Sequence, residues 1–165
     1  MFQKIESEDL GNAFKLIGRD WMLITAKAGD KLNTMTASWG GMGHLWNRDV
    51  VYIFIRPQRH TLNFIEENDS FTLTFFPESY RNDLTYLGTV SGRDEDKIAE
   101  TSLTPVVEGE FPYFEESDVV IKCKKIYKQK LDRECFLDPS IEKNYDNDYH
   151  FMYIGEVVEV LKKEA

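Results

Sequence analysis

Val50-Val51-Tyr52-Ile53-Phe54-Ile55 is the longest wholly apolar run of the chain, and Arg56 closes it. Six consecutive β-branched and aromatic residues with no polar alternation read as a core strand covered on both faces. The run is also far shorter than the roughly 20 residues that a membrane-spanning helix needs, which excludes a transmembrane helix. The remaining elements are read outward from this strand.

Five further strands follow from period-two patterning. Trp21–Ala26 and Thr34–Trp39 flank the polar stretch Lys27–Lys31, whose Gly29-Asp30 pair has turn chemistry, so together they predict a hairpin. Ser70–Phe76 puts Phe71, Leu73 and Phe75 on one face and Thr72, Thr74 and Phe76 on the other, and Pro77 stops it. That pattern predicts a half-polar strand. Asp118–Leu131 alternates apolar and basic residues, and Tyr149–Leu161 contains Gly155 as a bend or bulge. Helical stretches are short and peripheral: Ser7–Leu16, Thr61–Glu67, Leu84–Val90 and Asp94–Glu100. The expected fold class is mainly β, a β-barrel with short helices, because closure or near-closure of an antiparallel sheet removes unpaired edges.

The chain has 165 residues, with no repeat and no Gly/Ser/Pro-rich linker, so residues 1–165 are expected to form a single domain. Its 20 basic and 29 acidic residues leave a net charge of −9, which excludes general DNA or RNA binding. The N-terminus turns acidic where a signal peptide would be apolar, and the expected location is the cytoplasm. Cys123 and Cys135 fit neither a disulfide framework nor a CxxC motif and are read as free thiols.

Most sources of chemistry are absent. The cluster Gly40-Gly41-Met42-Gly43 lacks the GxGxxG spacing, and there is no P-loop. His44, His60 and His150 are scattered, so no metal site is expected. Neither Ser38 nor Cys135 sits in a nucleophile elbow. What remains is Asn33-Thr34-Met35-Thr36-Ala37-Ser38-Trp39, then Leu45-Trp46-Asn47, then Arg56-Pro57-Gln58-Arg59-His60-Thr61. Small hydroxyl residues at a strand end let main chain approach a phosphate, and Trp39 offers a flat surface. Arg56 and Arg59 supply charge-assisted contacts to an anion, and Thr61 opens a helix whose free N–H groups favour one. The plainer alternative is that these cations snorkel over apolar surface or pair with Glu66 and Glu67.

These segments, in this order, resemble the flavin reductase-like proteins, a family that includes flavoredoxin. The resemblance extends over Asp20–Ala26, Phe71-Thr72-Leu73, Ser91-Gly92-Arg93-Asp94 with Asp96-Lys97, and His150 followed by Tyr153–Val157. It implies a six-stranded antiparallel Greek-key split barrel that binds FMN without a covalent bond, as a homodimer. By that resemblance Asn33, Met35, Thr36, Ala37, Ser38 and Trp39 pass along the flavin. Arg56, Arg59, His60 and Thr61 hold its phosphate, and Ser91 and Lys97 lie on a loop near it. His150 faces the flavin and contacts nicotinamide; its alternative is a hydrogen-bonded core histidine.

A flavin carries its own chemistry, so hydride transfer from NADH or NADPH needs no dedicated acid or base, which agrees with the lack of a catalytic constellation. The implied activity is an oxidoreductase passing electrons from NAD(P)H through FMN to an acceptor. An electron carrier reduced by a redox partner protein, or a non-catalytic flavin-binding domain, are the alternatives. An acidic surface repels nicotinamide cofactors and welcomes a basic partner. Trp39, Trp46 and the Tyr80/Tyr86 region are walls for the ring or, alternatively, core aromatics.

Overall fold

A computed structural model describes residues 1–165. All six strands read from the sequence are present, as β2 (Met22–Ala28), β3 (Lys31–Ala37), β5 (Arg48–Ile55), β6 (Ser70–Phe75), β9 (Val119–Lys130) and β10 (Phe151–Lys163). Four more strands join them: β1 (Phe2–Ile5), β4 (Gly40–Leu45), β7 (Pro105–Glu108) and β8 (Phe111–Phe114). The helices are α1 (Ala13–Lys15), α2 (Thr61–Glu67), α3 (Arg81–Thr89) and α4 (Pro139–Glu142). None is long and apolar enough to cross a membrane.

The main sheet has eight strands, two more than the six expected, in the order β3-β2-β6-β9-β10-β5-β4, with β1 paired to the far half of β10. Every pairing in it is antiparallel. Apolar side chains from β2, β3, β5, β6, β9, β10 and α2 fill one continuous core inside its curve. Gly155 lies at a register shift between β10 and β9, where a Cβ would stand 2.5 Å from the Phe71 ring. The bulge therefore lets Phe71 into the core, as the glycine in this strand predicts.

Five expectations about local structure change. The stretch Ser7–Leu16 breaks at Gly11 into a 3₁₀ turn at Ser7–Leu10, the short α1 and a π turn at Leu16–Asp20. Asp94–Glu100 is a series of turns, not a helix, with Asp94 N–H bonded to Ser91 O and Lys97 N–H to Glu95 O. Trp21 stands before β2 at φ +68, under the Arg81 guanidinium 3.3 Å from its ring centre. The half-polar reading of β6 gives way to full burial, because the β7–β8 hairpin covers the face that carries Thr72 and Thr74. Conversely β5 is fully buried on the face of Val51, Ile53 and Ile55, whereas on the other face Val50 is buried but Tyr52 and Phe54 stay half-buried.

The glycine cluster that matched no nucleotide motif forms the edge strand β4. A Cβ on Gly40 would stand 2.8 Å from Tyr52 O, whereas at Gly41 and Gly43 the Tyr52 ring leaves ordinary contact distance. β3 and β4 are the two free ends of the sheet, joined only through Ser38 and Trp39. The barrel is thus split along β3, and one long side of that strand keeps main-chain groups unpaired. A second apolar cluster, including Leu23, Leu84, Leu87, Ile98 and Phe114, seats α3 and the turns after it on the outside of the sheet.

Candidate functional site

Three segments converge on β3. Asn33 is buried and donates from Nδ2 to Thr61 Oγ1 at 2.8 Å, which ties β3 to the first residue of α2. Gly92 packs on the same amide so closely that a Cβ there would lie 2.1 Å from Asn33 Oδ1. Only glycine lets the turn approach this far. Thr36 donates from its hydroxyl to Leu84 O, and a Cβ on Gly88 would lie 3.1 Å from Thr36 Cβ, so α3 is laid along the strand.

Two cations meet at the carbonyl end of α3. Arg59 Nη1 donates to Gly88 O at 3.1 Å, and Lys97 Nζ donates to Leu87 O at 2.8 Å and to Val90 O at 2.9 Å. Helix C-terminal carbonyls carry partial negative charge and favour cations. A carbonyl dipole does not neutralise a whole charge, however, and neither cation has a carboxylate partner. Lys97 is only 3% exposed. Burial first, and then repulsion from Arg59, bring it down to about 8. Burial lowers Arg59, and burial followed by Arg93 and Lys97 lowers His60. All three shifts record burial first, and those of Lys97 and His60 add repulsion from neighbouring cations. A cleft of about 770 Å³ is lined by Asn33, His60, Arg93 and Lys97, with Arg59 near Lys97 and outside the lining.

The helix N-terminus offers less than expected. Leu62 N–H is bonded to Arg59 O and Asn63 N–H to His60 O, so the first turn of α2 is largely closed on itself. Met35 points into the core, and Ser91 Oγ accepts from Arg93 N–H within its own turn.

The other predicted residues gather at the far end of β3, where Ala37 gives way to Ser38 and Trp39. Trp39, 53% exposed, meets the His150 ring edge to face at 5.6 Å. His150 is 7% exposed and also touches Phe54 and Tyr145 edge to face. Its Nδ1 lies 2.6 Å from the Tyr145 hydroxyl. Burial first, then the Arg56 cation, lower His150 to about 4, so the ring is neutral at physiological pH.

Arg56 belongs to this second group and not beside Arg59. Its Nη1 donates to Asp148 at 3.0 Å and its Nη2 to Asn144 O at 2.7 Å, while its guanidinium lies over the Tyr145 ring. The two arginines therefore flank one turn and face opposite ways. Trp46 and Asn47 form the β4–β5 turn with φ of +54 and +56, the arrangement of a type I′ turn, and Trp46 packs on Tyr127. Tyr80 packs on Phe76 and Tyr86 bonds Glu95, both in the outer cluster.

Sequence reasoning passed over Tyr145 and Asp148. The density of rings at Tyr145, Tyr149, His150 and Phe151 is visible in the sequence, but nothing in their spacing says that a loop folds back onto His150.

Residues 14–165 match the family described as the flavin reductase like domain. The fold is similar to an FMN-binding domain of a flavin reductases-like enzyme from Shewanella baltica, with a TM-score of 0.72 and 18% identity over 98% of this chain and 77% of that one. It is similar to the flavoredoxin of Desulfovibrio vulgaris, with a TM-score of 0.70 and 24% identity over 96% and 78%. The styrene monooxygenase flavin reductase of Pseudomonas putida gives a TM-score of 0.66 and 12% identity over 88% and 80%. No curated protein is significantly similar in sequence. At these identities the structural likeness establishes the fold, an antiparallel split barrel.

Proposed function

The chain belongs to the flavin reductase-like domain family, and from that premise we propose that it binds FMN along β3 and transfers electrons from NADH or NADPH through the flavin to an acceptor. The observation that carries this reading is the pair of cations at the end of α3, buried Lys97 and half-buried Arg59, with no anionic partner in a chain of net charge −9. A phosphate is the group that such a pair lacks, since charge-assisted contacts to a dianion are strong where water is excluded. The donor set suits the rest of FMN as well. The unpaired edge of β3 offers main-chain donors and acceptors to a ribityl chain and a pyrimidine ring, and Trp39 offers a flat neighbour.

In this assignment Arg59 and Lys97 hold the phosphate, with His60 beside them. Asn33, Thr61, Gly92 and Ser91 hold the shape of the cradle. Thr36, Ala37 and Ser38 line the path through main chain, and Met35 fixes the strand from the core. Arg56 is reassigned from the phosphate to the loop that carries Asp148. Bound flavin would supply the redox chemistry, while the protein orients it and excludes water. His150 faces the ring end as a neutral donor and not as a proton source.

The exposed apolar residues Trp39, Trp46 and Leu137 support a homodimer in which a second copy covers the ring end. A flavoredoxin-like carrier reduced by another protein is the second reading, favoured by the acidic surface that discourages anionic nicotinamides. One spectroscopic experiment tests both. The protein is loaded with FMN, freed of excess and mixed with NADH or NADPH without oxygen. Retained colour that bleaches within seconds is the expected result; retained colour that persists supports the carrier, and colourless protein overturns FMN binding.

A further inference from the structure

His150 has one nitrogen accounted for and one left over. Nδ1 meets the Tyr145 hydroxyl, whereas Nε2 has no hydrogen-bond partner in the chain and is not among its fully enclosed unsatisfied atoms. The ring cannot turn freely, because Trp39, Phe54 and Tyr145 each hold it edge to face. We propose that Tyr145 is a positioning residue: its hydroxyl donates to His150 Nδ1 and so keeps the ring proton on Nε2, as a fixed hydrogen-bond donor beside Trp39. This rests on the proposed flavin site and adds the chemistry of what binds at its ring end: a planar ring bearing a carbonyl or carboxamide oxygen.

The direction of the Tyr145 bond follows from its surroundings. Tyr145 has no other acceptor within the chain, so only a donating phenol satisfies both groups internally. Burial holds the Tyr145 phenol above its ordinary range, so it keeps the proton it donates, although the Arg56 guanidinium 5.0 Å from the ring centre works against that rise. The same cation opposes protonation of His150, together with burial. Asp148 is the only carboxylate acting on the imidazole, and Arg56 engages it at 3.0 Å. Trp39 and Phe54 bring no charge.

Tyr145 is held in place from both sides. Arg56 grips Asn144 O on one flank and Asp148 on the other, and Gln58 adds a second bond to Asp148 at 2.8 Å. The loop also closes on itself through Tyr149 to Glu142, Arg133 to Glu142 and the stacked rings of Phe136, Tyr145 and Tyr149. The turn that begins at Arg56 thus sets the phenol that sets the imidazole. Bonding to the remote nitrogen is the general way in which a protein selects a histidine tautomer.

The ring nitrogens report the tautomer directly. Histidine is labelled with nitrogen-15, and the His150 signals are identified by their loss in His150→Gln. The expected result is a proton on Nε2 that persists without titration from about pH 5 to pH 8. In Tyr145→Phe, which keeps the stacked ring, the signals should move to a mixture of tautomers. Bleaching of the FMN-loaded variant by NADH or NADPH should slow about tenfold while FMN retention changes less than about twofold. A wild-type ring protonated on Nδ1, or a Tyr145→Phe variant with unchanged ring signals and bleaching, overturns the proposal. Wild-type protein that retains no FMN breaks the proposed function instead, since the nitrogen signals are read without flavin.

Discussion

The two ends of the segment from Asn33 to Trp39 handle charge in opposite ways. At the Asn33 end, Arg59 and Lys97 are held against main-chain carbonyls with no counter-charge. At the Trp39 end, Arg56 is matched by Asp148 and the imidazole of His150 is neutral. Leaving a cation buried and unmatched destabilises a fold unless something arrives to match it. Under the proposed function, the contrast separates an end that would receive an anion from an end that would face a neutral ring, within one strand and the turn that follows β5.

The largest expected effect falls on the anion end. Arg59→Ala should weaken FMN binding by about 1.5–3 kcal/mol, tenfold or more, and riboflavin binding much less. Titrating both flavins by fluorescence quenching checks it; equal losses for the two would erase the distinction between the ends. Lys97→Met should act in the same direction.

Next comes the cradle itself. Gly92→Ala places a methyl group 2.1 Å from Asn33 Oδ1 and must push that buried amide off Thr61. Loss of this bond and the accompanying strain should lower stability by about 1–3 kcal/mol in urea unfolding. An unaltered midpoint would mean that the turn shifts freely and that Asn33 does not organise the site.

A pH effect sharpens the comparison further. Lys97 in the folded chain sits at about 8, below its ordinary value of 10.5, so the folded state holds this proton less tightly than the unfolded one. Stability is reduced in the charged range below about 8 and recovers as pH rises toward the ordinary value. Phosphate binding favours the charged form, so FMN affinity should fall by up to about tenfold per pH unit above about 8. Riboflavin affinity should stay flat over the same range, measured by the same titration.

The smallest effect belongs to the ring end. Arg56→Ala removes a partly buried ion pair and a loop contact, for a loss of about 1 kcal/mol in stability. FMN and riboflavin binding should respond alike, because this arginine faces the loop. A selective loss of FMN binding would return Arg56 to the phosphate.

The strands that could be read in advance carry their own pattern. Val50–Ile55 and Phe71 to Phe75 declare themselves by β-branched and aromatic residues, and Gly155 announces its bulge. β4 and β7 do not, since Gly40-Gly41-Met42-Gly43 and a segment opening on Pro105 have little strand propensity of their own; pairing with β5 and β8 makes them strands. The turns at 94–100 depart from the helix expected there for the converse reason. Local composition permits one, but Lys97 is drawn inward to the end of α3 and the backbone follows. Within the site, the basic cluster after β5 was legible, while the opposite directions of Arg56 and Arg59 were not. Their partners lie 92 and 29 residues away in the chain.

The flavin entered only through the family resemblance, whereas residue types and periodicity alone determined the strand-rich class, the main core strands and a local cluster of positive charge after β5 in an acidic chain. Those are properties of single segments, decided by side-chain shape, alternation and charge. Tertiary structure decided which cations stay unmatched, that Thr72 and Thr74 are covered, and that Tyr145 reaches His150. Each of those depends on which distant groups share a small volume, and in that volume burial and nearby charge, not residue type, set protonation and hydrogen bonding.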